Sequence, residues 1–105
     1  MGRKVAFMAN ILEKTGVVVS NRQLSDRLWV IDIKVDALGV DLMPGQFVHM
    51  LIPGMEGHIL RRPFSVFYVS EDGSVITILY QVVGFGSKHL TTVEPGTAVS
   101  LMGPI

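Results

Sequence analysis

The chain has 105 residues, 49% of them apolar, with nine basic and nine acidic side chains and no cysteine. That is one domain's length, enough to bury a core with little margin, and the balanced charge argues against bulk attraction to nucleic acid or an anionic membrane. Without cysteine, the sequence holds neither a disulfide framework nor a thiolate-bound zinc or iron–sulfur centre.

The opening, MGRKVAFMANILEKTG, starts basic, but its apolar run is short and broken by Asn10, so it does not read as a secretion signal. No apolar stretch approaches the length that crosses a bilayer. A soluble, cytoplasmic protein is expected. From there the pattern has period two. GVVVSNRQL (16–24) is a β-branched run, and Ser25-Asp26 is a turn. LWVIDIKV (28–35) puts Trp29, Ile31, Ile33 and Val35 on one face and Asp32 and Lys34 on the other, which predicts a half-buried strand. Pro44-Gly45 introduces a third strand, QFVHMLI (46–52). LIPGMEGHIL (51–60) is the longest irregular connection, and it leads into a fourth strand, FSVFYVS (64–70). Glu71-Asp72-Gly73 then predicts a hairpin to a fifth, SVITILYQVV (74–83). GSKHLTTV (86–93) is the one helical segment, with Leu90 pointing inward, and Pro95-Gly96 precedes a sixth strand, TAVSLM (97–102). Short strands punctuated by Gly and Pro predict an antiparallel barrel or sandwich, with no internal repeat and no low-complexity linker.

RRPFSV (61–66) places two adjacent cations where solubility does not require them. Pro63 lacks a backbone N–H and cannot sit mid-ladder in a central strand, so a strand is expected to begin here, at a rim. Alternation puts Arg62 and Phe64 on one face, Pro63 and Ser65 on the other. A guanidinium fork suits phosphate oxygens, an aromatic offers a plane for a ring, and a serine hydroxyl donates or accepts one bond. Charge, plane and hydroxyl together fit an anionic ligand with an aromatic head. On composition alone, the same residues also read as a charged start to a strand with core behind it.

LYQVVGFGSKHL (79–90) runs from a strand through Gly84-Phe85-Gly86-Ser87 into the helix. Glycine lets backbone approach a ligand closely, and the first amides of a helix are unpaired donors. Ser87 can add a hydroxyl or cap the helix. Turn-and-cap chemistry accounts for such a stretch equally well, and no parallel strand–helix–strand unit surrounds it. Read together, one stretch supplies a side-chain cation and the other supplies amides, and a diphosphate has charge enough for both.

The remaining candidates carry less. His49, His58 and His89 are scattered without carboxylates at ligand spacing, so no metal site is expected. No segment signals a hydrolytic triad. The six methionines read as core filling. Trp29 and Tyr68 are expected to pack, and Lys88 to be solvated.

At these residues the sequence resembles the flavin-binding barrels of the ferredoxin-reductase superfamily, which share an Arg-x-aromatic-Ser strand and a Gly-x-Gly-Ser/Thr loop. PGQFVHMLIPG, LRRPFSV, ITILYQVVGFGS and VEPGTAVSLMGP, in that order, are similar to one branch of it, the electron-transfer subunits of dihydroorotate dehydrogenase B. The resemblance runs from about Asn21 to the last residue. It implies an all-β fold, a six-stranded antiparallel Greek-key barrel with one short helix, and FAD as cofactor. By resemblance, Arg62 contacts the FAD diphosphate, with Pro63 between it and Phe64, which lies near the flavin ring. Ser65 reaches the reactive nitrogen edge. Leu79, Tyr80 and Gln81 line the flavin and ribityl region, and Gly86 and Ser87 hold the diphosphate. The protein positions the ring while the flavin carries the redox chemistry. Two positions depart from the family. Gln81 stands where many relatives have a basic residue, which weakens one contact by about a kcal/mol. Phe64 stands where this branch has a smaller aliphatic and distant relatives have tyrosine.

The family continues beyond Gly103-Pro104-Ile105 into a nicotinamide-binding domain and a cysteine-rich loop with an iron–sulfur cluster. Residues 1–105 are therefore expected to be the FAD-binding barrel of a longer protein, inactive in electron transfer by itself. The parent would pass electrons between NAD(H), FAD and the cluster to a catalytic dehydrogenase subunit of pyrimidine biosynthesis. A barrel separated from its partner is expected to expose apolar surface and pair with itself. The flavin domain of a related ferredoxin–NADP oxidoreductase subunit and a ligand-free barrel that binds other molecules are the alternatives. Aromatics held in apolar alternation and the nil net charge argue against nucleic acid.

Overall fold

The computed structural model describes residues 12–36, 42–55 and 61–104. The opening segment with Asn10, and residues 56–60 of the long connection with His58, lie outside the described residues. Among the described residues, six strands form, β1 (Leu12–Gln23), β2 (Leu28–Lys34), β3 (Phe47–Leu51), β4 (Arg62–Val69), β5 (Val75–Gln81) and β6 (Ala98–Gly103), with one helix, α1 (Phe85–Leu90), between the last two. They close into a barrel in the order β1-β2-β5-β4-β3-β6, every pairing antiparallel. The β3-β4-β5 meander with β2 returned beside β5 is a Greek key.

Alternation fills the interior. Ile31 and Ile33 of β2, Val48 and Met50 of β3, Ile76 and Ile78 of β5 and Leu101 of β6 are wholly buried, and each stabilises the fold by roughly 1.5–3 kcal/mol. Leu90 of α1 joins the same cluster at 0% exposure, so the helix sits over one end of the barrel. That end is where β1, β3 and β5 finish and β2 and β4 begin. Both expected turns form. Leu24 and Ser25 amides donate to the Leu28 carbonyl, and the β4–β5 hairpin closes on Asp72 and on Gly73 at φ +74°.

Two β-bulges change what alternation predicts. In β4 the register slips between Val66 and Tyr68, so Phe67 and Tyr68 both face solvent, 60% and 55% exposed, and Val69 turns back against the core. The expected packing of Tyr68 is thus corrected. Trp29 does pack, against Tyr80 at a ring-centroid separation of 6.4 Å. The slip in β1 lies between Val18 and Ser20, and it pairs Asn21 with inward-facing Ile31. Phe47 and Phe85 are exposed as well, so the aromatics are not confined to apolar alternation. Met50 and Met55 fill the core, but Met43 is 65% exposed.

Candidate functional site

The two adjacent arginines do different work. Arg61 is a clamp. It donates to the Ser100 carbonyl at 3.2 Å and to the Ser100 hydroxyl at 2.9 Å, reaches the His49 carbonyl at 3.5 Å, and pairs with Glu13. It therefore laces β1, β3 and β6 together. The Arg62 side chain has no hydrogen-bonding partner among the described residues, and the residue is exposed. Its guanidinium lies against Gly86 of α1. A Cβ placed on Gly86 would lie 3.2 Å from Arg62 Nε and 3.4 Å from Ile52 Cδ1, so the absent side chain makes room for the arginine. Gly86 is buried there. The cation and the glycine segment, far apart in sequence, meet at the end of the barrel that α1 covers.

Alternation on β4 carries Phe64 to the same side as Arg62, because Val66 beyond it is in the core. The Phe64 ring meets Tyr80 edge-on at 6.2 Å between centroids, so Phe64, Tyr80 and Trp29 form a row across β4, β5 and β2. Tyr80 is 4% exposed, and its hydroxyl donates to Asn21 Oδ1 at 2.8 Å. Burial pushes the phenol up to about 12, the Asn21 bond pulling the other way. Tyr80 is therefore a neutral donor at physiological pH.

Pro63, Ser65, Leu79 and Gln81 fall on the outer wall of the barrel. Ser65 is exposed opposite Phe47, Gln81 is exposed at the end of β5, and Leu79 is half-buried opposite Val30. The Ser87 hydroxyl is engaged locally. It accepts from the Val83 amide at 2.9 Å and the Gly84 amide at 3.1 Å, fixing the approach to α1. Of the two roles open to Ser87 in the sequence, this is the capping one. The first-turn amides of Gly86 and Ser87 have no acceptor within the helix by its geometry.

A cleft of about 510 Å³ adjoins the segment, lined by Arg27, Trp29, Val82, Val83, Gly84 and Lys88 among others. It lies between the β1–β2 turn and α1. Arg62, which lies against Gly86, is not part of its wall. Lys88 is exposed as expected, but it borders a cleft with an indole and a second cation. Two contributors were not legible in the sequence. Arg27 lies in a turn without any motif, and Asn21 is turned inward only by a bulge.

No family model matches the chain. Curated relatives do. The electron-transfer subunit of dihydroorotate dehydrogenase B (NAD(+)) from Fusobacterium nucleatum is 32% identical over 88 residues, 84% of this chain and 34% of that protein. The subunit of the same name from Lysinibacillus sphaericus is 34% identical over the same share of each. The chain thus spans about a third of the length of the curated relatives it matches. Among solved structures, the ferredoxin reductase of carbazole 1,9a-dioxygenase, described in its FAD apo form, superimposes with a TM-score of 0.73 at 20% identity, over 90% of this chain and 30% of that one. The barrel shares its fold with that ferredoxin reductase, as expected from the sequence.

Proposed function

We propose, for a chain homologous to the electron-transfer subunits of dihydroorotate dehydrogenase B, that it binds FAD beside α1, at the end of the barrel where β4 begins, and serves as the flavin domain of such a subunit. The observation that carries this reading is the Arg62 guanidinium, without a hydrogen-bonding partner among the described residues, lying against the cradle left by Gly86. A cation with its donors unspent beside unpaired helix amides fits a diphosphate. Arg62 would hold the diphosphate, with the Gly86 and Ser87 backbone opposite it. Phe64, braced by Tyr80, would offer an apolar edge to the ring. Ser65, with Pro63, Leu79 and Gln81, would present strand backbone and polar groups from the outer wall.

Bound flavin supplies the electron carrier; the residues named here bind and orient it and hold water from one side of it. A thiolate-held iron–sulfur cluster needs ligands that this cysteine-free sequence lacks, so such a cluster would be held by another part of the assembly. The partner in that assembly would be the catalytic dehydrogenase subunit, in the cytoplasm. Among the described residues, no helix is long and apolar enough to cross a membrane.

The test is direct. Purified protein titrated into FAD quenches the flavin fluorescence saturably. Arg62→Ala raises the Kd for FAD by roughly 10–100-fold, the worth of a charge-assisted contact, and leaves the far-ultraviolet circular dichroism unchanged. Unaltered affinity in a folded Arg62→Ala protein would sink this reading.

A further inference from the structure

The side chain of Asn21 spends both its N–H donors and one acceptor site of its oxygen on contacts remote in sequence. Its Nδ2 donates to the Leu90 carbonyl at 2.8 Å and to the Val93 carbonyl at 2.9 Å. Its Oδ1 accepts from the Tyr80 hydroxyl at 2.8 Å. The first is the last carbonyl of α1, which also accepts from the Val93 amide at 3.1 Å, and the second lies three residues beyond it. The third belongs to the aromatic that braces Phe64. One amide thus bridges β1, β5 and the helix.

We propose that Asn21 is a positioning residue for the diphosphate, tying the C-terminal end of α1 to Tyr80 and so fixing where Gly86 sits against Arg62. For its ligand, the inference rests on the FAD reading given above. Two kinds of contact hold α1 to the barrel. Burial of Leu90 is non-directional; it keeps the helix docked but lets it slide or roll. Hydrogen bonds have preferred distances and angles: two from Asn21 Nδ2 hold the C-terminal end of α1 and its exit, and the third anchors the same amide to Tyr80. The tolerance at the far end of the helix is small. Gly86 approaches Arg62 and Ile52 so closely that a methyl group would already crowd them at 3.2 and 3.4 Å. A shift of a fraction of an ångström at the helix end would move the cradle off the guanidinium.

The chemistry also selects the residue type. Aspartate would keep the acceptor and lose both donors, leucine would lose all three bonds, and glutamine would overreach by a methylene. Asn21 faces inward only because of the bulge between Val18 and Ser20.

The experiment uses Asn21→Leu, close in size but without hydrogen bonds, and Tyr80→Phe, which removes only the bond between the strands. Three quantities are read: the Kd for FAD, the Kd for riboflavin, which has no diphosphate, and hydrogen exchange of the amides from Leu90 to Val93 without ligand. Asn21→Leu is expected to weaken FAD roughly tenfold, to change riboflavin by less than about threefold, and to speed exchange at the helix end about tenfold. Tyr80→Phe, which leaves the helix carbonyls bound, is expected to weaken FAD by about threefold. A folded Asn21→Leu protein with FAD affinity within twofold of wild type overturns the inference and leaves the FAD reading standing. Equal losses of FAD and riboflavin also overturn it, since they assign Asn21 to general stability. Wild-type protein that binds neither flavin overturns the FAD reading and the role in affinity with it. Unchanged exchange at the helix end in Asn21→Leu overturns the seating of α1, whatever binds.

Discussion

The Arg62 guanidinium and the α-carbon of Gly86 are packed so that a methyl group on the glycine would stand 3.2 Å from Arg62 Nε. What must yield is the far end of a flexible side chain, not backbone. Alanine also suits a helix better than glycine, by about 1 kcal/mol. Gly86→Ala is therefore expected to keep or raise the melting temperature while weakening FAD roughly tenfold, because the cation is displaced from its seat. Thermal melting and flavin titration of the one variant test both halves.

Arg61 and Arg62 predict opposite phenotypes. Arg61→Ala removes bonds to the carbonyl and hydroxyl of Ser100 and the pair with Glu13. A loss of about 1–3 kcal/mol is expected in chemical denaturation. Arg62→Ala, which breaks no hydrogen bond among the described residues, should stay within about 0.5 kcal/mol of wild type.

The β4–β5 hairpin carries an acid-sensitive turn. Asp72 accepts from the Ser74 amide at 3.0 Å, the Ser74 hydroxyl at 2.7 Å and the Ser70 hydroxyl at 2.9 Å. These bonds, the Ser74 amide foremost, lower its carboxyl from 3.8 to about 2. The folded state binds this proton less readily than the unfolded chain does. The contribution to stability is complete above about 3.8 and disappears as pH falls through about 2. Carboxyl chemical shifts followed by NMR over that window should give the lowered midpoint, and Ser74→Ala should raise it.

The bulge in β4 is tested by neighbours with reversed roles. Tyr68 is 55% exposed, and Tyr68→Ser is expected to change stability by no more than about 0.5 kcal/mol. Val69 packs on the core, and Val69→Ala should cost about 1.5 kcal/mol for two methyl groups. Denaturation midpoints in the opposite order would place the slip elsewhere.

Close approach inside the barrel makes Gly16 intolerant. A Cβ there would come within 2.6 Å of Ile33 Cγ2 and of Val35 Cγ1, and within 3.0 Å of the Lys34 carbonyl oxygen. Gly16→Ala is expected to destabilise the protein by about 1–3 kcal/mol in urea unfolding.

Much of the fold was written in local pattern. Period-two alternation through Trp29, Ile31, Ile33 and Val35 needs nothing beyond the residues themselves to specify an inward face, and Asp72-Gly73 specifies its hairpin by backbone preference alone. The side-chain chemistry of Arg62, Phe64 and Gly86 could likewise be named before any fold was known, because donors, planes and missing side chains are properties of residue types. Tyr68 and Asn21 could not be placed this way. A bulge adds one residue to one strand, which exchanges inside for outside beyond it and leaves no mark in composition. The division of labour between Arg61 and Arg62 was equally hidden, since it depends on which acceptors barrel closure brings within reach.

By itself, then, the sequence determined that the chain forms strands, which of their faces are apolar, and which residues carry donors fit for an anion. Only the tertiary structure decided that the Arg62 side chain has no hydrogen-bonding partner among the described residues, that Gly86 lies against it, and that Asn21 joins Tyr80 to the helix. Alternation is fixed between neighbours along the chain, whereas convergence is fixed by closure of the barrel and by single-residue slips in register, which act between strands distant in sequence.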